Sequence, residues 1–451
     1  MNFNIVKFFT QGNERSKKAK FNILVSFILK GIGIAINLLL VPLTLNYLNP
    51  TNYGIWITLS SIIAWIVFFD IGLGNGLRNK FAEALAKNNK DIARVFVSTS
   101  YSILSIIVFL VYIAFLFINP YLNWSKILNT SLGMEQELGK LVMFVFTFFC
   151  MQLILKLVSS VIIADQKPAV ADLLNVLCNV LSLIFIFFLI KTTSGSLLYL
   201  GISLSLAPVI IYFLASIFFF TATYKAYRPS FKFIKIKYVK ELTALGFQFF
   251  FIQISGIILY STSNIIITQL LGPSEVTPYN IAYKYFYSII MIFTIVLTPF
   301  WSAFTEAYHK DDFVWIRNVM RKLTYFRLAL IFVVILMMIL ANIAYRIWIG
   351  EQVKVPISLS VLMGVFVIIT LWNMVYIYFI NGVGKIRLQL YIGTLSALIH
   401  IPLSIYFVKY LNLGSSGVVL STCLCISPTI ILWPIQFRKI INKQSRGIWD
   451  K

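Results

Sequence analysis

Acidic residues are scarce in this 451-residue chain: 15 Asp and Glu stand against 38 Lys and Arg, with two His and four Cys. Histidine and carboxylates are the usual metal-ligand and acid–base groups, so their shortage disfavours a metal centre or a paired-carboxylate catalyst. Cys150, Cys178, Cys423 and Cys425 all fall inside apolar runs, and Cys423-x-Cys425 lacks metal-site spacing, so they read as small packing residues. No Gly-x4-Gly-Lys-Ser/Thr motif occurs, which excludes an ATP-driven machine within the chain. Long polar stretches are missing as well. With 59% hydrophobic residues and a mean hydropathy of +0.88, no sizeable soluble domain fits.

What is present is a series of apolar runs, each near the roughly 20 residues that carry a helix across hydrocarbon. They predict spans at Phe21–Leu45, Gly54–Gly76, Val95–Ile118, Leu141–Ala164, Ala169–Ile190, Leu197–Thr221, Leu242–Leu270, Ile281–Phe304, Tyr325–Ile347, Val355–Ile380, Ile386–Val408 and Gly414–Ile435. The net charge of +23 would suggest nucleic acid in a soluble protein, but here its distribution follows the loops. Lys17, Lys18, Lys20, Arg78–Arg94, Lys225–Lys240, Arg317–Arg327, Lys385, Arg387 and Arg438–Arg446 lie at the termini and in alternate loops. The opposite loops hold only Lys126, Lys140, Lys191, Arg346, Lys354 and Lys409. The positive-inside rule then predicts a multi-pass membrane protein with both termini cytoplasmic. The polar start Met1–Lys20, followed by an apolar run too long for a signal core, predicts no cleavable leader.

The basic loop 223–241 falls at the midpoint of the chain, dividing it into six spans within 1–222 and six within 242–451. Sliding one half onto the other by 223 positions aligns Phe81, Glu83, Ala84, Lys87 and Arg94 with Phe304, Glu306, Ala307, Lys310 and Arg317. Leu48 and Pro50 meet Leu271 and Pro273 in the same frame. An even number of spans per half gives the halves one orientation. The predicted fold is therefore all-α: two six-helix bundles related by a pseudo-two-fold axis along the membrane normal, as in an alternating-access carrier.

Ionisable groups at membrane depth are costly and mark candidate sites. Lys30 lies mid-span, sharing a helical face with Gly33 and Asn37. The 223 offset maps it to Gln253, on a helix whose polar stripe runs Gln253, Gly256, Tyr260, Asn264 and Thr268. Both faces suit a cavity lining, or alternatively helix–helix adhesion. Lys156 and Asp172 flank the Asp165–Pro168 turn and are expected to pair or to snorkel inward. Lys284 stands among Tyr279, Tyr283, Tyr285 and Tyr287, as an interfacial belt or as a sugar-stacking surface. Asp70 precedes three alternate glycines and suits a coupling-ion site, a partner for Lys30 or a helix cap. Arg78, Lys87, Arg94, Lys310 and Arg317 read as orientation anchors or as sites that recruit anionic head groups.

The block Leu48-Asn49-Pro50-Thr51-Asn52-Tyr53-Gly54-Ile55-Trp56, followed by Phe69-Asp70-Ile71-Gly72-Leu73-Gly74-Asn75-Gly76, resembles the first-repeat signature of the bacterial polysaccharide flippases. These move O-antigen or capsule repeat units and belong to the MATE-like multidrug/oligosaccharidyl-lipid/polysaccharide exporter superfamily. The resemblance implies a V-shaped pair of bundles that flips undecaprenyl-pyrophosphate-linked oligosaccharide, with a cationic cavity onto which Lys30 maps. Its implied partners are the lipid-linked oligosaccharide, membrane lipids, a coupling ion such as H+ or Na+, and polymerase or chain-length proteins, without nucleic acid. No cofactor, metal or catalytic residue is expected. An ion-coupled multidrug antiporter of the same fold is the nearest alternative, but pockets for cationic drugs call for buried carboxylates rather than lysines. A peptidoglycan-precursor flippase usually has further helices. A membrane glycosyltransferase or polymerase needs acid–base groups in its outer loops. Asn46–Tyr53 has none, and Asn119–Lys140 has only Lys126, Glu135, Glu137 and Lys140.

Overall fold

The computed structural model describes residues 14–65, 72–243, 259 and 261–450. Among them the chain is built from helices: α1 (Glu14–Tyr47), α2 (Pro50–Ala64), α3 (Leu73–Ala86), α4 (Lys90–Ile118), α5 (Glu135–Leu155), α6 (Leu157–Ala164), α7 (Pro168–Thr192) and α8 (Leu197–Thr221). After the linker follow α9 (Thr262–Leu271), α10 (Pro273–His309), α11 (Phe313–Ile349), α12 (Ile357–Val383), α13 (Arg387–Lys409), α14 (Gly414–Ile426) and α15 (Thr429–Ile441). Ten helices among the described residues are long and apolar enough to span a bilayer. The two remaining expected spans, Gly54–Gly76 and Leu242–Leu270, each contain undescribed residues. Apolar side chains such as Ile339, 71% exposed on α11, cover the outside of these helices, the pattern a hydrocarbon solvent demands.

The chain forms two compact units. One holds Met1–Leu43, Ile63–Ile127 and Ser131–Phe250; the other holds Thr44–Ile62, Leu128–Thr130 and Phe251–Lys451. Their boundaries differ from a simple cut at the midpoint, because most of α2 packs with the second half of the sequence. In the first unit α8 packs on α5 and α7, and α3 packs on α4 and α6. In the second, α12 is central and touches α10, α11, α14 and α15.

The 223-residue repeat is visible in the backbone. Pro50 and Pro273 both open helices, as do Lys90 and Phe313, each pair 223 apart. At the intervening turn, Asn88 N bonds Leu85 O and Asn89 N bonds Ala84 O, matched by Asp311 to Tyr308 and Asp312 to Ala307. Asn88 and Asp311 both take positive φ (52° and 56°), a conformation that short amide and acid side chains tolerate. Asn89 and Asp312 then cap the following helices by accepting from Ile92 N and Trp315 N, each at 3.0 Å. Glu83–Lys87 and Glu306–Lys310 repeat the same i,i+4 ion pair.

Repeat-related residues also meet. A Cβ on Gly54 would lie 1.8 Å from the Pro273 carbonyl oxygen, so only glycine lets α2 come this close to α10. Thr277, the equivalent of Gly54, donates its hydroxyl to the carbonyl of Pro50, the equivalent of Pro273, at 2.6 Å. Such an exchange of equivalent contacts is the hallmark of a two-fold crossing.

Candidate functional site

The crossing organises a buried polar network in the second unit. Asn49 caps α2 by accepting from Asn52 N at 2.8 Å, which aims Tyr53 inward, 2% exposed. Lys284, one turn beyond Asn280 on α10 and half-buried, donates Nζ to the Tyr53 hydroxyl at 3.2 Å. Asn280 donates to Asn264 Oδ1 at 2.8 Å, and Asn264 donates to Ser61 Oγ at 2.8 Å. Thr58 and Thr268 share a buried hydroxyl contact of 2.6 Å, and Asn129 donates to the Thr268 carbonyl at 2.9 Å. These amides and hydroxyls are paired, so the network holds α2, α9 and α10 in one register. Of the expected stripe, Asn264 and Thr268 join it; Gln253, Gly256 and Tyr260 lie outside the described residues.

Tyr279, Tyr283 and Tyr287 stack along α10 with ring centroids 6.4 and 4.8 Å apart. Tyr279 is buried, and together with Tyr283 it lines a small interior gap with Met363, Phe366, Val419 and Thr422. The tyrosines at this end therefore face the inside of their unit, which an interfacial belt would not do.

In the first unit Lys30 is half-buried on α1. A Cβ on its face-mate Gly33 would meet Asn179 Nδ2 of α7 at 3.9 Å. Asp172, Asn175 and Asn179 run at helical spacing along α7, and Asn175 accepts from the Tyr212 hydroxyl at 2.8 Å. Asn37 is exposed and donates its amide to the Gly33 carbonyl at 2.9 Å, so that donor serves its own helix. Lys156 is exposed at the break between α5 and α6, and Asp172 is half-buried. The expected Lys156–Asp172 pair is not among the ion pairs of the described residues; instead Asp165 takes Lys167 at 2.6 Å and accepts from the Tyr224 hydroxyl at 2.9 Å. The turn thus satisfies its acid locally. Asp70 lies outside the described residues.

Of the five basic positions read as head-group anchors, Arg78, Lys87, Lys310 and Arg317 are exposed. Lys87 and Lys80 bond Glu83 and hold its carboxyl below the usual range. Arg94 differs. It is half-buried, its Nε donates to the Arg228 carbonyl at 3.1 Å, and its guanidinium lies 4.2 Å from the Phe233 ring centroid. It clamps the linker.

Sequence reasoning missed Arg327, which it grouped with the basic residues of a cytoplasmic loop. The side chain is 2% exposed, with Cζ 4.0 Å above the Trp372 ring and Nη1 donating to the Trp372 carbonyl at 3.2 Å. Its Nε is buried without a hydrogen-bond partner among the described residues. The signal was present: Arg327 continues the stripe Ile316, Met320, Leu323, Leu330, Val334 at three- and four-residue steps, a charge at a core position. His400, fully buried beside Ser421 Oγ at 3.2 Å, was also passed over.

None of the ion pairs among the described residues includes Lys30, Lys156, Lys284 or Arg327. A family model described as polysaccharide biosynthesis protein matches residues 20–305. The chain belongs to that family. A Yersinia pseudotuberculosis protein named for O-antigen export is 22% identical over 432 residues, covering 91% of this chain and 94% of its own. A Salmonella typhimurium LT2 protein named as an O-antigen transporter is 22% identical over 432 residues, covering 94% and 96%. Among solved structures, an inward-facing multidrug resistance MATE family transporter of the MOP superfamily superposes with a TM-score of 0.76 at 16% identity. It covers 94% of this chain and 100% of that one. This polysaccharide biosynthesis protein thus has the fold of a MATE transporter.

Proposed function

We propose that this polysaccharide biosynthesis protein is a flippase that carries undecaprenyl-pyrophosphate-linked oligosaccharide from the cytoplasmic to the periplasmic leaflet of the inner membrane. It works by alternating access driven by an ion gradient or the membrane potential. The observation that carries the reading is the cationic set Lys30, Lys156, Lys284 and Arg327, for which the described residues offer no carboxylate partner. An ammonium at membrane depth costs about 3 kcal/mol or more, and a diphosphate cargo offsets that cost by charge pairing. Names of the relatives, which speak of O-antigen export or transport, and the transporter fold support the same conclusion.

Lys30 is the residue to hold the diphosphate. Hydroxyl- and amide-bearing side chains suit sugar hydroxyls; Asn37 and Asn264 already spend their amide donors on Gly33 and Ser61, which leaves Gln253 and Tyr260 of the polar stripe as the candidates. The fold is shared with multidrug carriers, and the cations without a described carboxylate partner support an anionic cargo over a cationic drug. Asp70 and Asp172 remain the carboxylates for coupling or gating, and both termini are assigned to the cytoplasm by the loop charge.

Purified protein in liposomes holding a fluorescent lipid-linked glycan tests the proposal through access of a membrane-impermeant quencher. The reading predicts protein-dependent loss of protected signal, abolished by Lys30→Ala. Equal quenching with and without protein, alongside transport of a cationic dye, would replace it with the drug-carrier reading.

A further inference from the structure

A groove of about 760 Å³ opens on the first unit, lined by α4, α5 and the linker. Its wall on α4 runs from Ser98 through Ser105 to Tyr112, and on α5 from Thr147 to Ile154. No Asp, Glu, Lys, Arg or His is among its lining residues. The fifteen residues from Ser98 to Tyr112 rise about 21 Å along the helix, enough to take a hydrocarbon chain through the roughly 15 Å of one leaflet, half of a 30 Å core. Pro229, Ser230, Phe231 and Ile234 form the lip.

The lip is built rather than loose. Ser230 N donates to Ser98 Oγ and Lys235 N to Thr99 Oγ1, each at 3.1 Å. Arg94 holds the same segment through the Arg228 carbonyl and the Phe233 ring. Interleaved with the apolar lip residues are Arg228, Lys232 and Lys235, all exposed, and none enters an ion pair among the described residues. Residues 222–240 contain six Lys or Arg and no acid. Phe231, 92% exposed, stands beside Lys232 as an apolar side chain that would enter the bilayer surface. The groove is thus apolar along its length and cationic only at its mouth, the charge distribution of a lipid whose head is anionic.

We infer that this groove is a binding site for an anionic phospholipid of the leaflet on the linker's side, its acyl chain lying along α4 and α5 and its phosphate held by Arg228, Lys232 and Lys235. Transport of glycan is not needed for this site, which stands on the groove and its rim alone.

The full-length protein in nanodiscs is photolabelled with phosphatidylglycerol carrying a diazirine in its acyl chain, and separately with phosphatidylcholine carrying the same chain. Adducts are mapped by peptide mass spectrometry. The site predicts phosphatidylglycerol adducts on 98–112 and 147–154 about fivefold above phosphatidylcholine, the ratio one basic side chain supplies near an anionic surface. Lys232→Gln with Lys235→Gln should lower the ratio towards parity, leaving only what Arg228 supplies, and Ser105→Phe should remove both sets of adducts. The lysine variants are on the surface and report even where the filling variant fails to fold. Equal labelling by the two lipids in the parent protein, or a ratio unchanged in the lysine variant, would reduce the groove to ordinary lipid contact. Loss of labelling to excess soluble glycerol phosphate would show that the anion alone is the ligand, and overturn the lipid site.

Discussion

Replacing Gly54 by alanine tests the crossing on which the repeat turns. The added Cβ would sit 1.8 Å from the Pro273 carbonyl oxygen and 2.8 Å from its carbon. Both neighbours are backbone, so neither can rotate away, and α2 must retreat by more than 1 Å to reach an ordinary contact. Overpacking of this kind costs about 1–3 kcal/mol. Retreat also stretches the Thr277–Pro50 and Thr58–Thr268 hydrogen bonds, now 2.6 Å each, worth about 0.6–2 kcal/mol apiece between membrane helices. The combined loss is about 3–5 kcal/mol, which lowers the thermal midpoint by about 3–5 °C for a chain of this length. Size-exclusion chromatography of a fluorescent fusion after a heating series measures it directly. Thr277→Ala, which removes one bond and adds no clash, should cost only about a third as much. A Gly54→Ala protein whose midpoint stays within a degree or two of the parent would refute the close approach, and with it the two-fold crossing.

Further expectations concern the charges. Lys30→Ala should abolish surface glycan in cells while leaving the amount of membrane protein unchanged, whereas Lys284→Ala, whose ammonium already has the Tyr53 hydroxyl, should be mild; immunoblots of glycan and protein compare them. Arg327→Met should change stability by no more than about 2 kcal/mol. The stacking and charged hydrogen bond, together about 3–5 kcal/mol, are set against a membrane cost of about 2.5–3.5 kcal/mol. A far larger drop in the heating series would make Arg327 a structural strut. Lys385 and Ser445 hold the Asp450 carboxyl below its usual value, so the tail contact they make is intact above the ordinary aspartate pKa of about 3.9. It is lost only as pH falls through the depressed value. Hydrogen exchange of residues 444–450, corrected for intrinsic rate, should show constant protection from pH 7 to about 4.5, and none in Asp450→Asn; loss of protection between pH 7 and 5 would contradict it.

Much of the architecture was legible from local patterns. Apolar run length located the spans because hydrocarbon imposes the same requirement on every helix that crosses it. The offset of 223 located the repeat because a shared turn needs the same caps and the same positive-φ residue, and Asn88-Asn89 and Asp311-Asp312 supply them in both copies. Arg327 was misread because it lies near the basic loop in sequence; only its place in a buried stripe distinguishes it. Lys156 and Asp172 read as able to pair or to snorkel inward; no ion pair joins them among the described residues, and the acid of the intervening turn, Asp165, takes Lys167.

Sequence alone therefore determined the class of solvent, the number and spacing of most spans, the repeat and the surplus of cations, all of them properties of composition and short-range order. Tertiary structure decided which polar groups are spoken for. Tyr53 and Lys284 are 231 residues apart, as are Thr58 and Thr268 by 210, and no helical period links residues at such separations. Close packing of α2 on α10, set by one missing side chain at Gly54, is what brings them within hydrogen-bond reach.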